Sequence, residues 1–515
     1  MFSYDKRQWT GLFLGPVLFM VIVMIALHAG LPPGQRWAGA TVMLMAVWWI
    51  TEPLPLWATA SLPLVIFPLG SVATLFPVAL QYFDPVNFFF LGGMLIAAAM
   101  QQWGLHRRIA LAIVDIIGTS PRRIVLGFML GTAFISLWIS NTATTMMMYP
   151  IGMAVLLKLS EEAETDAEEL RHFGLALMLG IAYAASIGGI GTKIGTAPNL
   201  VFVKLAGPVL GHDIDFLTWL KMGLPIVLIA LPAVWWYLVR IAAPLPAEGF
   251  HGSKKIISAE RAALGPMNTG ERIALVAFLL AAFLWIFRKD IELGAFTIPG
   301  WWRHVTFGWE DILGRPLASL PQPVEKLLHQ DSGDAAVAII IGCALLFIPV
   351  SLRSPRFALD LRRAVGIPWH LLILMGGSFA MAYGIEASGL SNTIAGLFTG
   401  VGAIHPFLIF ILVCLLTVAL SEVASNTATA SILLPLIAAS AGNFGVAPPA
   451  LMLAASIAAS FGFMLPAGTP PNAIVFASGY ITVPQMARNG FLIDLLGALF
   501  VATLCYLLAP WALGI

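Results

Sequence analysis

Long apolar runs, separated by short polar segments, follow one another along almost the whole chain. A transmembrane helix needs roughly 20 predominantly apolar residues, or a few fewer when its ends snorkel. Eleven runs approach or exceed that length, near residues 11–29, 37–51, 55–72, 86–104, 172–212, 218–241, 271–288, 335–352, 367–390, 449–482 and 489–510. The pattern predicts an all-α polytopic membrane protein with about eleven transmembrane helices.

Four segments depart from the simple pattern of one helix per crossing. The runs 172–212 and 449–482 are too long for one crossing and are interrupted by glycine and proline, which predicts broken helices. The stretches 122–158 and 405–440 each carry the polar sequence SNTAT near the middle. We expect these two stretches to enter and return on one side as re-entrant hairpins.

Composition narrows the class of protein. The chain has 515 residues, of which 59% are hydrophobic and 10% charged, and a mean hydropathy of +0.91, whereas soluble domains carry about 25% charged residues. The net charge of +1 argues against a nucleic-acid partner. The widely spaced Cys343, Cys414 and Cys505 indicate neither a disulfide framework nor a zinc site. The apolar run after Lys6 and Arg7 is too long for a signal peptide and is read as a retained first helix.

The distribution of basic residues predicts the orientation. With the N-terminus in the cytoplasm, most of them fall in cytoplasmic loops, as the positive-inside rule requires. These residues are Arg107, Arg108, Arg122, Arg123, Lys254, Lys255, Arg261, Arg353, Arg356, Arg362, Arg363 and Arg488. The layout puts the first hairpin on the cytoplasmic side and the second hairpin outside, with the C-terminus outside. We expect an integral, multi-pass protein of the plasma (inner) membrane.

Three sequence motifs occur twice in the same order. They are DPVNFFFLGG and IPWHLLILMGG at Asp84–Gly93 and Ile367–Gly377, SNTAT from Ser140 and Ser425, and GTAPN and GTPPN from Gly195 and Gly468. Because the two halves enter the membrane from opposite sides, the pattern predicts an inverted-topology repeat, which is typical of secondary transporters. Chance similarity between apolar sequences accounts poorly for three ordered motifs.

The repeat divides the chain into four parts. Residues 1–83 are N-terminal scaffold helices, 84–241 are the first repeat, and 367–515 are the second repeat. Residues 242–366 are connecting helices with an outer loop, 289–334.

The repeated polar residues have groups suited to ions. Ser, Asn and Thr at a hairpin tip supply uncharged oxygen atoms, and a broken helix exposes carbonyls that suit a cation and N–H groups that suit a carboxylate. Two copies related by a pseudo-twofold axis would hold a small molecule with a negative group at each end. The alternative is that these residues only cap or join helices, as small polar residues often do in membranes.

Several stretches also resemble a known family. They are TEPLPLWATASLP (Thr51–Pro63), SIGGIGTKIGTAPN (Ser186–Asn199), SEVASNTATASILLP (Ser421–Pro435) and MLPAGTPPNAIVFASG (Met464–Gly479). They resemble the divalent anion–sodium symporter family, which carries dicarboxylates, citrate or sulfate with sodium and includes dicarboxylate exchangers that need no sodium. The resemblance implies a homodimer in which a transport domain moves as an elevator against a scaffold.

The resemblance also implies site residues and a coupling ion. The first sodium site would use Ser136, Ser140, Asn141 and Gly195, and the second Ser421, Ala424, Asn426 and Gly468. Substrate contacts would fall on Asn141, Thr142, Thr196, Asn426, Thr427, Thr469 and Pro470. Hard oxygen donors of this kind suit a small hard cation, and no organic cofactor is expected.

Lys193 is an unexpected charge two residues before Gly195. A lysine near the bilayer centre costs about 2.5–3.5 kcal/mol on insertion scales, so it needs a partner or a role. Its ammonium could replace one coupling cation, contact the substrate carboxylate, or reach a watery vestibule or a nearby acid.

The favoured function is sodium-coupled transport of small di- or tricarboxylates, of the succinate, malate, fumarate or citrate class. Sodium-independent dicarboxylate exchange and sodium–sulfate symport are the alternatives, and membrane lipid is the other expected partner. An enzyme is disfavoured because the chain has no HExxH or GxSxG motif, and a passive channel because paired hairpins and broken helices suggest an occluded site.

Overall fold

A computed structural model describes most of the chain, including the repeated SNTAT and GT-x-PN motifs. The described residues are 4–118, 120–161, 167–246, 253–293, 296–304, 333–351, 356–397 and 404–515. Most of the expected outer loop 289–334 lies outside them.

The described residues are mostly helical. The α-helices are α1 Lys6–His28, α2 Pro33–Thr51, α3 Leu56–Ala60, α4 Pro63–Leu69, α5 Leu75–Leu80, α6 Pro85–Trp103, α7 Leu105–Ile117, α8 Pro121–Ser136, α9 Asn141–Glu161, α10 Ala167–Ile190, α11 Ala197–Leu210, α12 Phe216–Tyr237, α13 Ser253–Ala262, α14 Thr269–Ile286, α15 Gly333–Ala344, α16 Leu361–Val365, α17 His370–Ala387, α18 Leu390–Leu397, α19 Pro406–Ser421, α20 Asn426–Ser440, α21 Pro448–Ala458, α22 Pro470–Phe476 and α23 Val483–Leu513.

Two small strand pairs modify the all-α expectation. Strand β1, Ile291–Leu293, pairs antiparallel with β2, Phe296–Ile298. Strand β3, Pro349–Ser351, pairs antiparallel with β4, Arg356–Phe357. Both pairs lie in connections between helices, so the helical core is unaffected.

Nine helical segments in the described part of the chain are long and apolar enough to cross a membrane. Seven of them correspond to runs among the eleven taken from the sequence, and the other two, Asn141–Ser160 and Asn426–Phe444, lie in the stretches predicted to be re-entrant hairpins. The predicted span 55–72 forms two short helices, α3 and α4, and the predicted span 335–352 is helical only as far as Ala344. Proline at residue 63 cannot donate a backbone hydrogen bond and begins α4 after the break.

The helices pack in two groups. A hairpin unit consists of α8–α12 and α19–α23, and a frame consists of α1–α6 and α14–α17. Within the hairpin unit α10 packs against α8, α9, α12 and α22, while within the frame α6 packs against α14 and α15 and α17 packs against α2 and α3. The two groups meet where α17 contacts α11 and α20, where α2 contacts α20, and where α12 contacts α14.

Corresponding helices of the two halves end in the same way. Gly104 follows α6 with φ of +75°, and Gly389 follows α17 with φ of +72°. These left-handed conformations favour glycine because it has no Cβ. The Gly-Leu sequences that begin at Gly104 and Gly389 therefore form the same type of turn after corresponding helices of the two halves.

A charged cluster joins the first hairpin to the connecting helices. Glu260 of α13 accepts hydrogen bonds from Lys158 Nζ of α9 at 2.8 Å and from Arg107 Nη2 of α7 at 2.6 Å. The hydrogen bond from Lys158 is the main reason that the pKa of Glu260 is lowered from its ordinary 4.5, and Arg107 adds to it against the effect of burial.

We expect Glu260→Gln to lower the melting temperature of the detergent-solubilised protein by about 1–3 °C at pH 7. Because the pKa of Glu260 is lowered in the folded state, its stabilising effect is complete above the ordinary pKa and is lost as the pH falls through the folded value. The difference in melting temperature from wild type should therefore shrink below about pH 4.5. Glu386→Gln at an exposed position is the control, and a difference independent of pH would contradict the prediction.

Candidate functional site

The first SNTAT sequence lies at the tip between α8 and α9, with Asn141 as the first residue of α9. Ser136 Oγ lies 2.9 Å from Asn141 Oδ1 and 2.7 Å from the carbonyl oxygen of Ala185 in α10. One hydroxyl proton cannot be donated fully to two acceptors. The cluster therefore brings together three oxygen atoms that share one hydroxyl proton.

The second tip repeats this arrangement between α19 and α20. Ser421 Oγ lies 2.9 Å from Asn426 Oδ1 and 2.6 Å from the carbonyl oxygen of Ala459, which follows α21. The same three atom types meet at nearly the same distances in both halves. The repeat in the sequence is thus a repeat of contacts as well.

In each broken helix, the asparagine of the GT-x-PN motif forms hydrogen bonds to backbone carbonyls at the break. Asn199 Nδ2 donates to the carbonyls of Gly189 at 3.0 Å and Thr192 at 2.8 Å. Asn472 Nδ2 donates to the corresponding carbonyls of Gly462 and Leu465, each at 3.0 Å. These bonds satisfy carbonyls that the break removes from the helical pattern, which is a requirement at membrane depth.

The glycines of the same motifs differ in how tightly they are packed. A Cβ added to Gly195 would lie 2.8 Å from the backbone oxygen of Ser136 and still closer to that of Gly189. A Cβ added to Gly468 would lie 3.1 Å from the backbone oxygen of Glu422 and 3.3 Å from its Oε2. The first break therefore contacts its hairpin tip more closely than the second.

The two halves are interlocked rather than side by side. Helix α11 of the first broken helix packs against α20 of the second hairpin, and α22 of the second broken helix packs against α9 of the first. Ser456 Oγ of α21 also donates to the carbonyl of Pro198 in α11 at 2.9 Å. The second helix of each hairpin thus packs against the half-helix of the other half, while a single pocket between Asn141 and Asn426 stays a prediction.

The other residues expected in the site take varied positions. Ser140 Oγ accepts a long hydrogen bond from Ala143 N at 3.5 Å rather than joining the oxygen cluster. Thr142, Asn426 and Thr427 are half-buried, Ala424 is buried and Pro470 is exposed. Thr196 and Thr469 precede the two half-helices with matching extended backbones, and Thr469 Oγ1 is buried with no hydrogen-bond partner among the described residues.

Lys193 has an acidic partner on the frame. Its Nζ lies 2.9 Å from Oδ2 of Asp334, near the start of α15, and 5.0 Å from the ring centroid of Phe89. Arg288 Nε lies 2.7 Å from the other carboxylate oxygen of Asp334. Of the three roles considered for Lys193, this geometry matches pairing with a nearby acid.

Two cavities flank the first broken helix. A cavity of about 650 Å³ is lined by Lys193, Lys204, Asp84, Arg288 and Asp334 among others. A second cavity of about 320 Å³ is lined by Ser140, Ile194, Arg362 and Arg363 among others. The second cavity thus has Ser140 of the first hairpin tip and two exposed arginines in its lining.

Comparisons with known proteins identify relatives of the chain. The profile of the sodium:sulfate symporter transmembrane region matches residues 6–513. The chain is 37% identical over 516 residues to the sodium-dependent dicarboxylate transporter SdcS of Staphylococcus saprophyticus, covering 100% of this chain and 93% of that protein. It is also 37% identical to the SdcS of Staphylococcus aureus strain MRSA252, covering 99% of this chain and 93% of the relative.

The chain belongs to the divalent anion–sodium symporter family. This confirms the family suggested by the motifs, and it makes the chain a multi-pass membrane protein whose relatives are transporters rather than enzymes. A solved structure, the YdaH transporter of Alcanivorax borkumensis, resembles this symporter-family fold with a TM-score of 0.55 at 14% identity, over 83% of this chain and 86% of that one. That likeness concerns the fold alone.

Two buried acids of this family member, Glu422 and Asp494, lie beside the second break, and sequence reasoning did not single out Asp494. Glu422 accepts hydrogen bonds from the backbone N–H groups of Met464 and Leu465, both at 2.9 Å. Asp494 of α23 accepts from the N–H of Phe463 at 3.2 Å. Both acids therefore support the second break, and their signal in the sequence is a charge inside an apolar run.

Proposed function

We propose that this protein is a secondary active transporter that moves small di- or tricarboxylates together with sodium. The observation that carries the proposal is the doubled oxygen cluster, Ser136–Asn141–Ala185 and Ser421–Asn426–Ala459. Relatives at 37% identity are named sodium-dependent dicarboxylate transporters, which supports both the ion and the substrate class.

The residues present fit a small hard cation. Each cluster offers a hydroxyl, an amide carbonyl and a backbone carbonyl oxygen, and hard cations prefer such ligands to nitrogen or sulfur. In each cluster the serine hydroxyl lies within hydrogen-bond distance of both other oxygens, so a cation bound there would be contacted by all three. Gly195 and Gly468 lie beside these clusters, and their carbonyls are the proposed additional ligands. Ser140 and Ala424 complete the proposed sets at the two tips.

The substrate is proposed to bind beside these clusters. The residues that flank the tips and breaks are Thr142, Thr427, Thr196, Thr469 and Pro470. The buried Thr469 Oγ1, which has no hydrogen-bond partner in the part of the chain that the structure describes, is suited to a ligand oxygen. The repeated contacts favour a molecule with a negative group at each end, with Asn141 and Asn426 as shared contacts. Small dicarboxylates have this shape.

We further propose that the hairpin unit moves as an elevator against the frame within a homodimer. The separate packing of the two helix groups supports a moving and a fixed part. The positive-inside pattern supports a cytoplasmic N-terminus and an outward C-terminus in the plasma membrane, and the doubled contacts support an inverted repeat with two re-entrant hairpins.

Coupling follows from electrostatics. A single uncompensated charge at the centre of a membrane helix costs about 2.5–3.5 kcal/mol on insertion scales. A hairpin unit loaded with the dianion alone, or with the cations alone, would carry such charge through the membrane. Only the fully loaded and the empty unit cross readily, so the two fluxes are linked.

Uptake into proteoliposomes tests the function. We expect labelled succinate to accumulate with sodium outside, and to accumulate at least tenfold more slowly when potassium replaces sodium. Uptake that needs internal dicarboxylate but no sodium would support the exchanger, for which Lys193 is the motivating residue. Faster uptake of sulfate than of succinate or citrate would instead support a sulfate symporter.

A further inference from the structure

The two cavities beside the first broken helix differ in charge. The larger cavity is lined by three lysine or arginine residues and by three aspartates, namely Lys193, Lys204, Arg288, Asp84, Asp213 and Asp334. The second cavity, of about 320 Å³, is lined by Arg362 and Arg363 and by no acidic residue of the described chain. Its other lining residues are uncharged, and most of them are apolar. The second cavity therefore has an excess of positive charge, whereas the lysines, arginines and aspartates of the larger one balance.

The two arginines of the second cavity belong to the frame. They lie on the short helix α16, which packs against α6 and buries Ala364. At the end of α6, Gln102 Oε1 accepts a hydrogen bond from the backbone N–H of Asp360 at 2.9 Å, and Trp103 Nε1 donates to the carbonyl of Ala358 at 2.8 Å. The arginines are thus fixed to the frame and would stay in place when the hairpin unit moves.

The guanidinium groups of Arg362 and Arg363 are not neutralised by a neighbouring acid. Both residues are exposed, and neither forms an ion pair with another described residue. By contrast, three arginines of α7 and α13 bind carboxylates, namely Arg107, Arg108 and Arg261. Asp360 immediately precedes α16 but does not line the cavity, and the charge of Arg356 in β4 offsets it. The positive charge of the cavity therefore remains available to a dissolved anion.

Part of the cavity lining belongs to the first hairpin. It includes Trp138, Ile139 and Ser140 at the tip. Ser140 is the first residue of the first SNTAT sequence and directly precedes Asn141 of the first oxygen cluster. Apolar walls focus the field of nearby charges and so raise the local concentration of an oppositely charged ligand. The cavity thus combines arginines from the frame with the polar tip of the hairpin unit.

We propose that Arg362 and Arg363 form a recruiting site that binds one carboxylate of the substrate before the substrate reaches the SNTAT tip. The inference rests on the proposed function and adds a second, transient anion site to it. Guanidinium groups stay charged and can bind a carboxylate through two parallel hydrogen bonds. The positive-inside rule explains why basic residues lie on the cytoplasmic side, but not why two of them line a cavity at the tip. Because the arginines belong to the frame, the site acts on the cytoplasmic face alone.

The test measures succinate uptake from each face, in right-side-out and inside-out membrane vesicles at a fixed sodium concentration, after subtraction of uptake by vesicles from non-expressing cells. At an ionic strength of about 0.02 M, Arg362→Gln/Arg363→Gln should raise the KM at the cytoplasmic face about 3- to 10-fold. The maximal rate and the KM at the outer face should stay within about twofold of wild type, since the hairpin tips are intact. At about 0.5 M the difference should largely disappear, because salt screens the field within a few ångström.

Two further double variants distinguish recruitment from a general effect of charge. Arg362→Lys/Arg363→Lys keeps both charges and should retain most of the wild-type KM. Arg171→Gln/Arg272→Gln removes the same charge from exposed positions that line neither cavity, and it should alter neither KM.

A lipid phosphate has the same chemistry as the proposed ligand and needs its own measurement. Calorimetric titration with succinate in nanodiscs separates the two sources. The glutamine double variant should lose the same affinity in nanodiscs of phosphatidylcholine as in nanodiscs that contain phosphatidylglycerol. A loss confined to the anionic lipid would show that the arginines bind lipid, and would overturn the inference.

A wild-type KM at the cytoplasmic face in the glutamine double variant at low ionic strength would also overturn the inference, as would equal changes at both faces. If that variant does not fold, the wild type alone decides. Its KM should rise with ionic strength more steeply at the cytoplasmic face than at the outer face, and an equal rise would contradict the recruiting site. Wild-type protein without sodium-dependent uptake would instead contradict the proposed function itself.

Discussion

Replacing Asn141 or Asn426 by alanine should reduce sodium-dependent succinate uptake about 10- to 100-fold at limiting sodium. A hydrogen bond or oxygen contact to a charged group contributes about 1.5–3 kcal/mol, and each 1.4 kcal/mol is a factor of ten. Each asparagine contributes one of the three oxygens in its cluster, Oδ1 at 2.9 Å from the serine hydroxyl. After the substitution the serine donates only to the backbone carbonyl, so the fold of the tip should survive.

The sodium dependence of uptake provides the decisive measurement. If the asparagines bind the coupling cation, raising the sodium concentration should restore much of the lost rate in both variants. Asn443→Ala is the matched control, since Asn443 donates to the carbonyl of Ala395 away from both tips. Wild-type uptake in both tip variants, or a defect that sodium does not reduce, would argue against cation binding at these residues.

The two tips also allow a comparison within one molecule. Asn141 is buried, whereas Asn426 is half-buried. The second cluster also has the carboxylate of Glu422 next to its serine, Ser421, in the chain, where Glu422 accepts hydrogen bonds from the N–H groups of Met464 and Leu465. A nearby negative charge strengthens the binding of a cation. We therefore expect the residual uptake of Asn426→Ala to exceed that of Asn141→Ala at the same sodium concentration.

The sequence was most informative where physical requirements are strict. The break in 172–212 was predictable because glycine and proline interrupt an apolar run longer than the membrane, and the structure has a non-helical segment between Ile190 and Ala197. The tips were predictable because a polar pentapeptide in an apolar run requires a special environment. In each of these cases the cost of an unsatisfied polar group restricts the conformations that the segment can adopt within the membrane.

The remaining features depend on partners that are distant in the sequence. Asp334 pairs with Lys193 across 141 positions, and no local pattern selects that acid over others in the connecting segment. The end of α15 at Ala344 could not be predicted either, because the apolar run in the sequence continues to Val350. In the structure this part of the run forms β3, which pairs with β4. Asn199 and Asn472 were part of the recognised motifs. Their hydrogen bonds to backbone carbonyls across the breaks depend on the path of the backbone there, which the sequence does not reveal.

Gly195→Ala should abolish most uptake, whereas Gly468→Ala should retain most of it. The added methyl at Gly195 would lie 2.8 Å from the backbone oxygen of Ser136 and closer to that of Gly189, and neither atom can move without displacing the first oxygen cluster. Overpacking of this kind costs about 1–3 kcal/mol, which corresponds to about a 5- to 150-fold loss if the cost falls on the transporting state. At Gly468 the nearest atoms are at 3.1 and 3.3 Å, and one belongs to the adjustable side chain of Glu422.

The measurement is the initial rate of sodium-driven succinate uptake in Gly195→Ala and in Gly468→Ala, each corrected for the amount of folded protein in the liposomes. Gly442→Ala is the control, because its added methyl meets no atom within 4 Å and its backbone is not left-handed. Size-exclusion profiles and melting temperatures separate a local effect from loss of folding. Equal defects at Gly195 and Gly468 would show that the two breaks are packed alike in the functioning protein, and would contradict the asymmetry on which this prediction depends.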